Sequence, residues 1–177
     1  TSKGYLPINM DQQNLPIFLK DEKVRQFLQE VVESIPENSQ VYLHGGVARN
    51  AVYYRLFGEE LPQRDFDMIL IGDKNSFATN LLTHGFTYGK KNTKIGATFK
   101  KPRVENPDED FDDWIYLDVV FRKDITIEES LQQKVNFTIN GFAINLRDID
   151  TPDWFEKIVM LPGTLEDIKL KRLRTNR

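Results

Sequence analysis

His44-Gly45-Gly46-Val47-Ala48-Arg49-Asn50, followed by Arg64-Asp65-Phe66-Asp67-Met68-Ile69-Leu70-Ile71, is the stretch on which the fold turns. Val41-Tyr42-Leu43 ahead of it is short, apolar and β-branched, and reads as a strand. The glycine pair stands where that strand turns into a helix over Val47 to Phe57, which Gly58 stops. Phe66 to Ile71 reads as a second strand, and Gly72-Asp73 as the turn after it. Strand side chains alternate faces, so Asp65 and Asp67 point the same way on either side of Phe66.

Upstream of this stretch, Val24, Phe27, Leu28, Val31, Val32 and Ile35 recur at helical spacing over Asp21 to Ile35. Asp21 and Glu22 favour the start of that helix and Pro36 ends it. Residues 1–20, with Pro7 and Pro16, read as an extended N-terminal arm. Ser76 to Leu82 is a short helix before His84-Gly85. Phe86 to Tyr88 and Lys94 to Phe99 are candidate hairpin strands, and Pro102 to Asp113 is an acidic, exposed loop. Trp114 to Phe121 is the clearest central strand and Glu128 to Val135 a helix. Thr138 to Leu146 fits helix or strand, with Gly141 weakening both. Asp153 to Met160 is expected as a helix, capped by Thr151 with Pro152 in its first turn. Pro162-Gly163 then turns the chain into a basic C-terminal helix or tail over 163–177. The expectation is one α/β (α+β) domain over 21–162, a mixed sheet flanked by helices.

The composition narrows the chemistry. A chain of 177 residues suits one domain with a real core. It has no cysteine, which excludes a disulfide scaffold and a thiolate site, and its two histidines cannot form a three-histidine zinc site. A metal here would be hard and oxygen-liganded, Mg²⁺ or Mn²⁺. No apolar run approaches a membrane span, and a cytoplasmic location without membrane contact is the default expectation. The net charge is −3, yet Lys169 to Arg177 carries five basic residues and no acid. A domain gripping a long nucleic acid alone would usually be basic, and this one is not. The tail suits phosphates or simply solvates a helix end.

Nucleotidyl transfer needs metal ligands, a cradle for the triphosphate and a means of activating the attacking hydroxyl. Asp65 and Asp67 suit metals that stabilise attacking and leaving oxygens. Gly45 and Gly46 let backbone approach a phosphate, and the helix behind them presents free N–H groups to an anion. Arg49 adds a charge-assisted contact or pairs with an acid, and Arg64 reaches a phosphate or holds a carboxylate. Asp118 lies inside the apolar run Ile115 to Phe121, where a charge is costly unless it faces metal or solvent. It is the candidate third carboxylate, as metal ligand and as acceptor of the hydroxyl proton. The ordinary reading makes His44 a hydrogen-bonded strand end, His84 a turn residue, Asp112 and Asp113 loop surface, and Trp114, Tyr116 and Phe121 core.

With these residues in view, the chain resembles the head domain of the bacterial-type CCA-adding enzymes and poly(A) polymerases, within the polymerase-beta-like nucleotidyltransferase superfamily. Gly45-Gly46-Val47-Ala48-Arg49-Asn50 is similar to that family's G-G-x-V-R-D, and Asp65-Phe66-Asp67 matches its D-x-D. Leu117 to Arg122 looks like its acidic strand ending in F-R, although the family usually carries Glu where Asp118 stands. Asn136-Phe137-Thr138-Ile139-Asn140-Gly141-Phe142-Ala143 resembles the end of its R-R-D-F-T-I-N-A-M-A segment. The resemblance spans residues 40–146. It implies an NTP bound with Mg²⁺ (or Mn²⁺), attack by a 3′-hydroxyl and release of pyrophosphate. It also implies Asp65, Asp67 and Asp118 as catalytic metal ligands. Gly45, Gly46, Arg49 and Asn140 follow as nucleotide-binding residues, and Arg64 and Asn136 are expected beside them. The departures are Asn50 for the first motif's Asp, Lys134-Val135-Asn136 for R-R-D, and Gly141 for Ala. The family continues into helical regions that select the base and hold tRNA, so a separate subunit or further domains are expected to supply RNA binding.

Three functions compete at this point. The first is a metal-dependent transferase acting on an RNA 3′ end, a protein or a small molecule. The second is a catalytically degenerate nucleotide- or RNA-binding module. The third is an interaction protein using its acidic sheet face and basic tail.

Overall fold

The side chains of Asp65–Ile71 sort by face: Phe66, Met68 and Leu70 are fully buried in the main core, whereas Asp65 is exposed and Asp67 half-buried. This strand, β2, lies near the middle of a seven-stranded mixed sheet in a computed structural model that describes residues 15–60, 65–134 and 141–175. The other strands are β1 (Gln40–His44), β3 (Thr87–Asn92), β4 (Gly96–Pro102), β5 (Trp114–Arg122), β6 (Phe142–Asn145) and β7 (Val159–Met160), in the order β3-β4-β5-β2-β1-β6-β7. Among the described strands only β2 and β5 run parallel, and the chain returns between them through a helix and the β3-β4 hairpin.

The helices are α1 (Glu22–Glu33), α2 (Gly45–Phe57), α3 (Lys74–Thr83), α4 (Ile127–Lys134) and α5 (Thr164–Thr175). Asp21 caps α1, its carboxylate accepting from the N–H groups of Lys23 and Val24. Gly58, left-handed at φ 72°, closes α2 through its N–H to the Tyr54 carbonyl. Asp73 caps α3 at the N–H of Ser76. Phe27 and Val31 of α1, Val47 and Ala51 of α2, and Phe77 and Leu81 of α3 join the inward residues of β1, β2, β4 and β5 in one core. On the other face, Ile127 and Leu131 of α4 cover Tyr42, Ile69 and Ala143 in a smaller cluster. Helices on both faces of a mixed sheet match the expected α/β class. No described helix is long and apolar enough to cross a membrane.

Two expectations change. The segment Asp153 to Met160 is not a helix. Residues 152–157 form successive turns, with N–H groups of Trp154, Glu156 and Lys157 each bonding a carbonyl three residues back. The chain then extends as β7, which pairs Val159 with Ala143 and Met160 with Phe142. Buried Trp154 and Ile158 anchor it to the main core, and pairing with the edge of β6 outweighs the local helix signals. In the ambiguous stretch before Leu146, residues 142–145 form a strand because β1 offers a partner edge, and Leu146–Asp148 is a 3₁₀ turn. Residues 17–20 of the arm are a 3₁₀ turn packed on the core through Phe18 and Leu19.

Candidate active site

Parallel pairing of β2 with β5 places Asp67 directly opposite Asp118 and Asp65 opposite Tyr116. On the far side of β5, Asp118 faces Thr98 and Tyr116 faces Lys100 of β4. The three aspartates thus stand on the face opposite the main core. They line an open cleft of about 750 Å³. The same alternation that buries Phe66, Leu117 and Val119 turns the carboxylates outward together.

Electrostatics mark the same point. Burial, then the charge of Asp118, then that of Asp65, push the Asp67 carboxyl up to about 6. Asp118 Oδ1 is buried and makes no hydrogen bond among the described residues. A buried, partnerless carboxylate oxygen beside another carboxylate is costly in an apolar wall and suits a site that receives a cation. The donor set is all oxygen, matching Mg²⁺ or Mn²⁺. Among the described residues, no group of three or more His, Asp or Glu side chains is already arranged to hold a metal ion.

The glycine pair opens α2 itself. Gly45 has φ +65°, and a Cβ there would lie 3.2 Å from Asp67 Oδ2, so a side chain at this position would be strained and would press on the carboxylate. His44, extended at the N-cap, makes no side-chain cap bond, so the first N–H groups of α2 begin beside Asp67 uncapped by it. Gly46 sits in the first turn and Arg49 is half-buried one turn on, its Nε 3.4 Å from Asn50 Oδ1. Neither Gly46 nor Arg49 lines the cleft. Arg64, Asn136 and Asn140 lie outside the described residues.

The other wall of the cleft contains residues that sequence reasoning did not select. Lys90 and Lys91 come from β3, Lys100 from β4, and Phe111 from a 3₁₀ turn at Phe111–Asp113. Tyr116, expected in the core, is half-buried instead and stacks on Phe111 with centroids 4.7 Å apart and planes 15° off parallel. Trp114 is likewise half-buried, with Lys100 Nζ 4.1 Å from its ring centroid. Phe121 packs partly buried against the main core, and Asp112 is loop surface. His84 ends α3, with Nδ1 near Ser34 Oγ and the Asn80 carbonyl. The parity of Tyr116 with Asp118 was the available signal: two residues apart on one strand, they share a face.

No protein-family model matches the sequence, and no curated protein does. Solved structures do match in fold. An apo form of a CCA-adding enzyme superposes with a TM-score of 0.61 at 18% identity, covering 84% of this chain and 34% of that one. A CCA-adding enzyme in complex with ATP gives 0.59 at 19% identity, over 84% of this chain and 32% of that one. The Thermotoga maritima CCA-adding enzyme complexed with tRNA gives 0.56 at 19% identity, over 92% and 32%. At these identities the likeness establishes the fold, and the chain spans about a third of the length of each of those chains.

Proposed function

We infer that this chain is a metal-dependent nucleotidyltransferase that moves a nucleoside monophosphate from an NTP to an acceptor hydroxyl and releases pyrophosphate. The carrying observation is the register of Asp67 against Asp118, with Asp65 in the same outward row and the glycine-started helix beside them. The fold, shared with CCA-adding enzymes solved with ATP and with tRNA, supports an RNA 3′ end as acceptor and tRNA as its class.

In this reading Asp65, Asp67 and Asp118 hold Mg²⁺ or Mn²⁺, and the metal, when bound, supplies positive charge to the reacting phosphoryl oxygens. The start of α2 at Gly45 and Gly46 receives the triphosphate, since free N–H groups and the helix dipole favour an anion there. Arg49, Arg64, Asn136 and Asn140 complete the nucleotide site. Asp118 takes the proton of the attacking hydroxyl as general base. The acceptor oxygen bonds the α-phosphorus, the bond from that phosphorus to the α–β bridging oxygen breaks, and the bridging oxygen departs on pyrophosphate. The site acts in one domain, 21–162, with 1–20 as an N-terminal arm and 163–177 as a basic C-terminal helix or tail; RNA-binding parts come from a separate subunit or further domains.

The test is transfer of α-³²P label from each NTP, with Mg²⁺ or Mn²⁺, to total RNA and protein. Wild type runs beside Asp65→Ala/Asp67→Ala. Label on RNA only with wild type supports the reading and names the nucleotide. Label on protein keeps the transferase and replaces the acceptor. A second reading, a degenerate binding module, is favoured by the carboxylates not being arranged to hold a metal as they stand. It predicts Mg²⁺-dependent NTP binding with no label transferred.

A further inference from the structure

Two flanks adjoin Asp67, and the triphosphate site proposed above takes only one. Gly45 and the start of α2 lie on the β1 side of Asp67. The lysines and the Phe111–Tyr116 pair lie on the β5-β4-β3 side. Resting on the proposed transferase reading, we propose that this second flank is a landing platform for the acceptor: the terminal base of a single-stranded nucleic acid stacks on the Phe111–Tyr116 pair while Lys90 and Lys91 take its backbone phosphates.

Three observations converge. First, Phe111 is 42% exposed, although a Phe is ordinarily buried, and it lines the cleft in parallel with Tyr116 rather than edge-on. Second, the loop that carries it is built to hold it. The Arg103 N–H donates to the Asp113 carbonyl at 2.7 Å, and Trp114 Nε1 donates to the Asp108 carbonyl at 2.7 Å. The Asp108 N–H donates to Asp113 Oδ2 at 2.9 Å, and Arg103 Nη1 bonds Asp21 Oδ2 at 2.8 Å, tying the loop to the cap of α1. Third, Lys90 and Lys91 are exposed on the same cleft wall, as phosphate contacts must be. Aromatic stacking beside a row of cations is the chemistry that holds a single strand without reading its sequence. The register supplies the reach. Tyr116 is level with Asp65 and two residues from Asp118, so a terminal nucleotide on the pair presents its hydroxyl towards the carboxylates. Triphosphate and acceptor then approach from opposite flanks. Glu109 at the rim would repel a strand passing too close to the loop, and so favours the lysine side.

The test is fluorescence anisotropy of a 5′-labelled single-stranded oligoribonucleotide across a salt series, without metal or NTP. The proteins are the wild type, Phe111→Ala, Phe111→Trp and Lys90→Ala/Lys91→Ala. Mg²⁺-dependent NTP binding is measured on the same proteins. Phe111→Ala should weaken oligonucleotide binding about tenfold and Phe111→Trp restore it. The double lysine variant should flatten the plot of log affinity against log salt by about 1.4. NTP binding should be unchanged in all three. Oligonucleotide affinity and salt slope equal to wild type in these variants would overturn the platform. So would a parallel loss of NTP binding, which would make the pair a nucleotide contact, or equally strong competition by an acidic polypeptide. The two readings fail separately. A wild type that binds RNA through Phe111 but transfers no label loses the transferase and keeps the platform. One that labels RNA while Phe111→Ala binds it normally does the reverse.

Discussion

Gly45 and Asp67 are packed so closely that a methyl group on the glycine would stand 3.2 Å from the carboxylate Oδ2. The glycine also holds φ +65°, a conformation that costs an L side chain about 1–2 kcal/mol. Position 45 therefore controls where Asp67 points. Gly45→Ala should lower label transfer roughly 10²-fold through misplacement of the carboxylate, while the melting temperature falls only a few degrees. Steady-state transfer assays beside thermal melts would check this, and full activity in the variant would remove Gly45 from the site.

Asp67 makes the fold pH-sensitive with an unusual sign for a carboxylate. Its pKa is raised from 3.8 to about 6 by burial and by the charges of Asp118 and Asp65. Its contribution to stability is therefore full below pH 3.8 and is lost as pH rises through about 6. The full difference is about 3 kcal/mol, and screening of a partly exposed group reduces it to about 1–2 kcal/mol. In chelator-containing buffer, Asp67→Asn should melt several degrees above wild type at pH 7.5 and match it near pH 4. A constant offset at both values would show that ionisation of Asp67 is not the cause.

Metal binding should appear without any substrate. Millimolar Mg²⁺ or Mn²⁺ should raise the wild-type melting temperature at pH 7.5, because a ligand that binds only the folded state stabilises it by mass action. The rise should vanish in Asp65→Ala/Asp67→Ala and shrink in Asp118→Asn. An equal rise in all three proteins would place the cation elsewhere.

Asp21 caps α1 and holds Arg103 at 2.8 Å. Burial works to raise its pKa, but the Arg103 bond and charge and the N–H groups of Val24 and Lys23 prevail, leaving it below the usual carboxylate value. Its stabilisation is present above about pH 4 and fades as pH falls through the lowered value. Asp21→Ala should cost about 1–2 kcal/mol at pH 7, and less in acid, in urea melts.

Trp154 is fully buried in a run of turns where a helix was expected. Trp154→Ala should cost about 3–5 kcal/mol and loosen the β6-β7 edge. Hydrogen exchange would report this as faster exchange at Val159 and Met160. Unaltered exchange there would mean that the ring does not hold the edge strand.

The elements visible in the sequence are those with strong local periodicity. Val24 to Ile35 could bury one stripe only as a helix, and Phe66, Met68 and Leu70 could share a face only in a strand. That alternation alone put Asp65 and Asp67 side by side, and an acid within the run Ile115 to Phe121 marked Asp118 before any fold was known. Their meeting is a tertiary fact. Residues 67 and 118 are joined by the parallel pairing of β2 with β5, a contact across some fifty positions that no local pattern encodes. The same holds for β7, whose residues took the strand form because β6 had an open edge, and for the stacking of Phe111 on Tyr116, which joins a loop to a strand. Local patterning set which residues could form each face, and the packing of distant strands set which faces met, because pairing and burial energies arise between segments rather than within them.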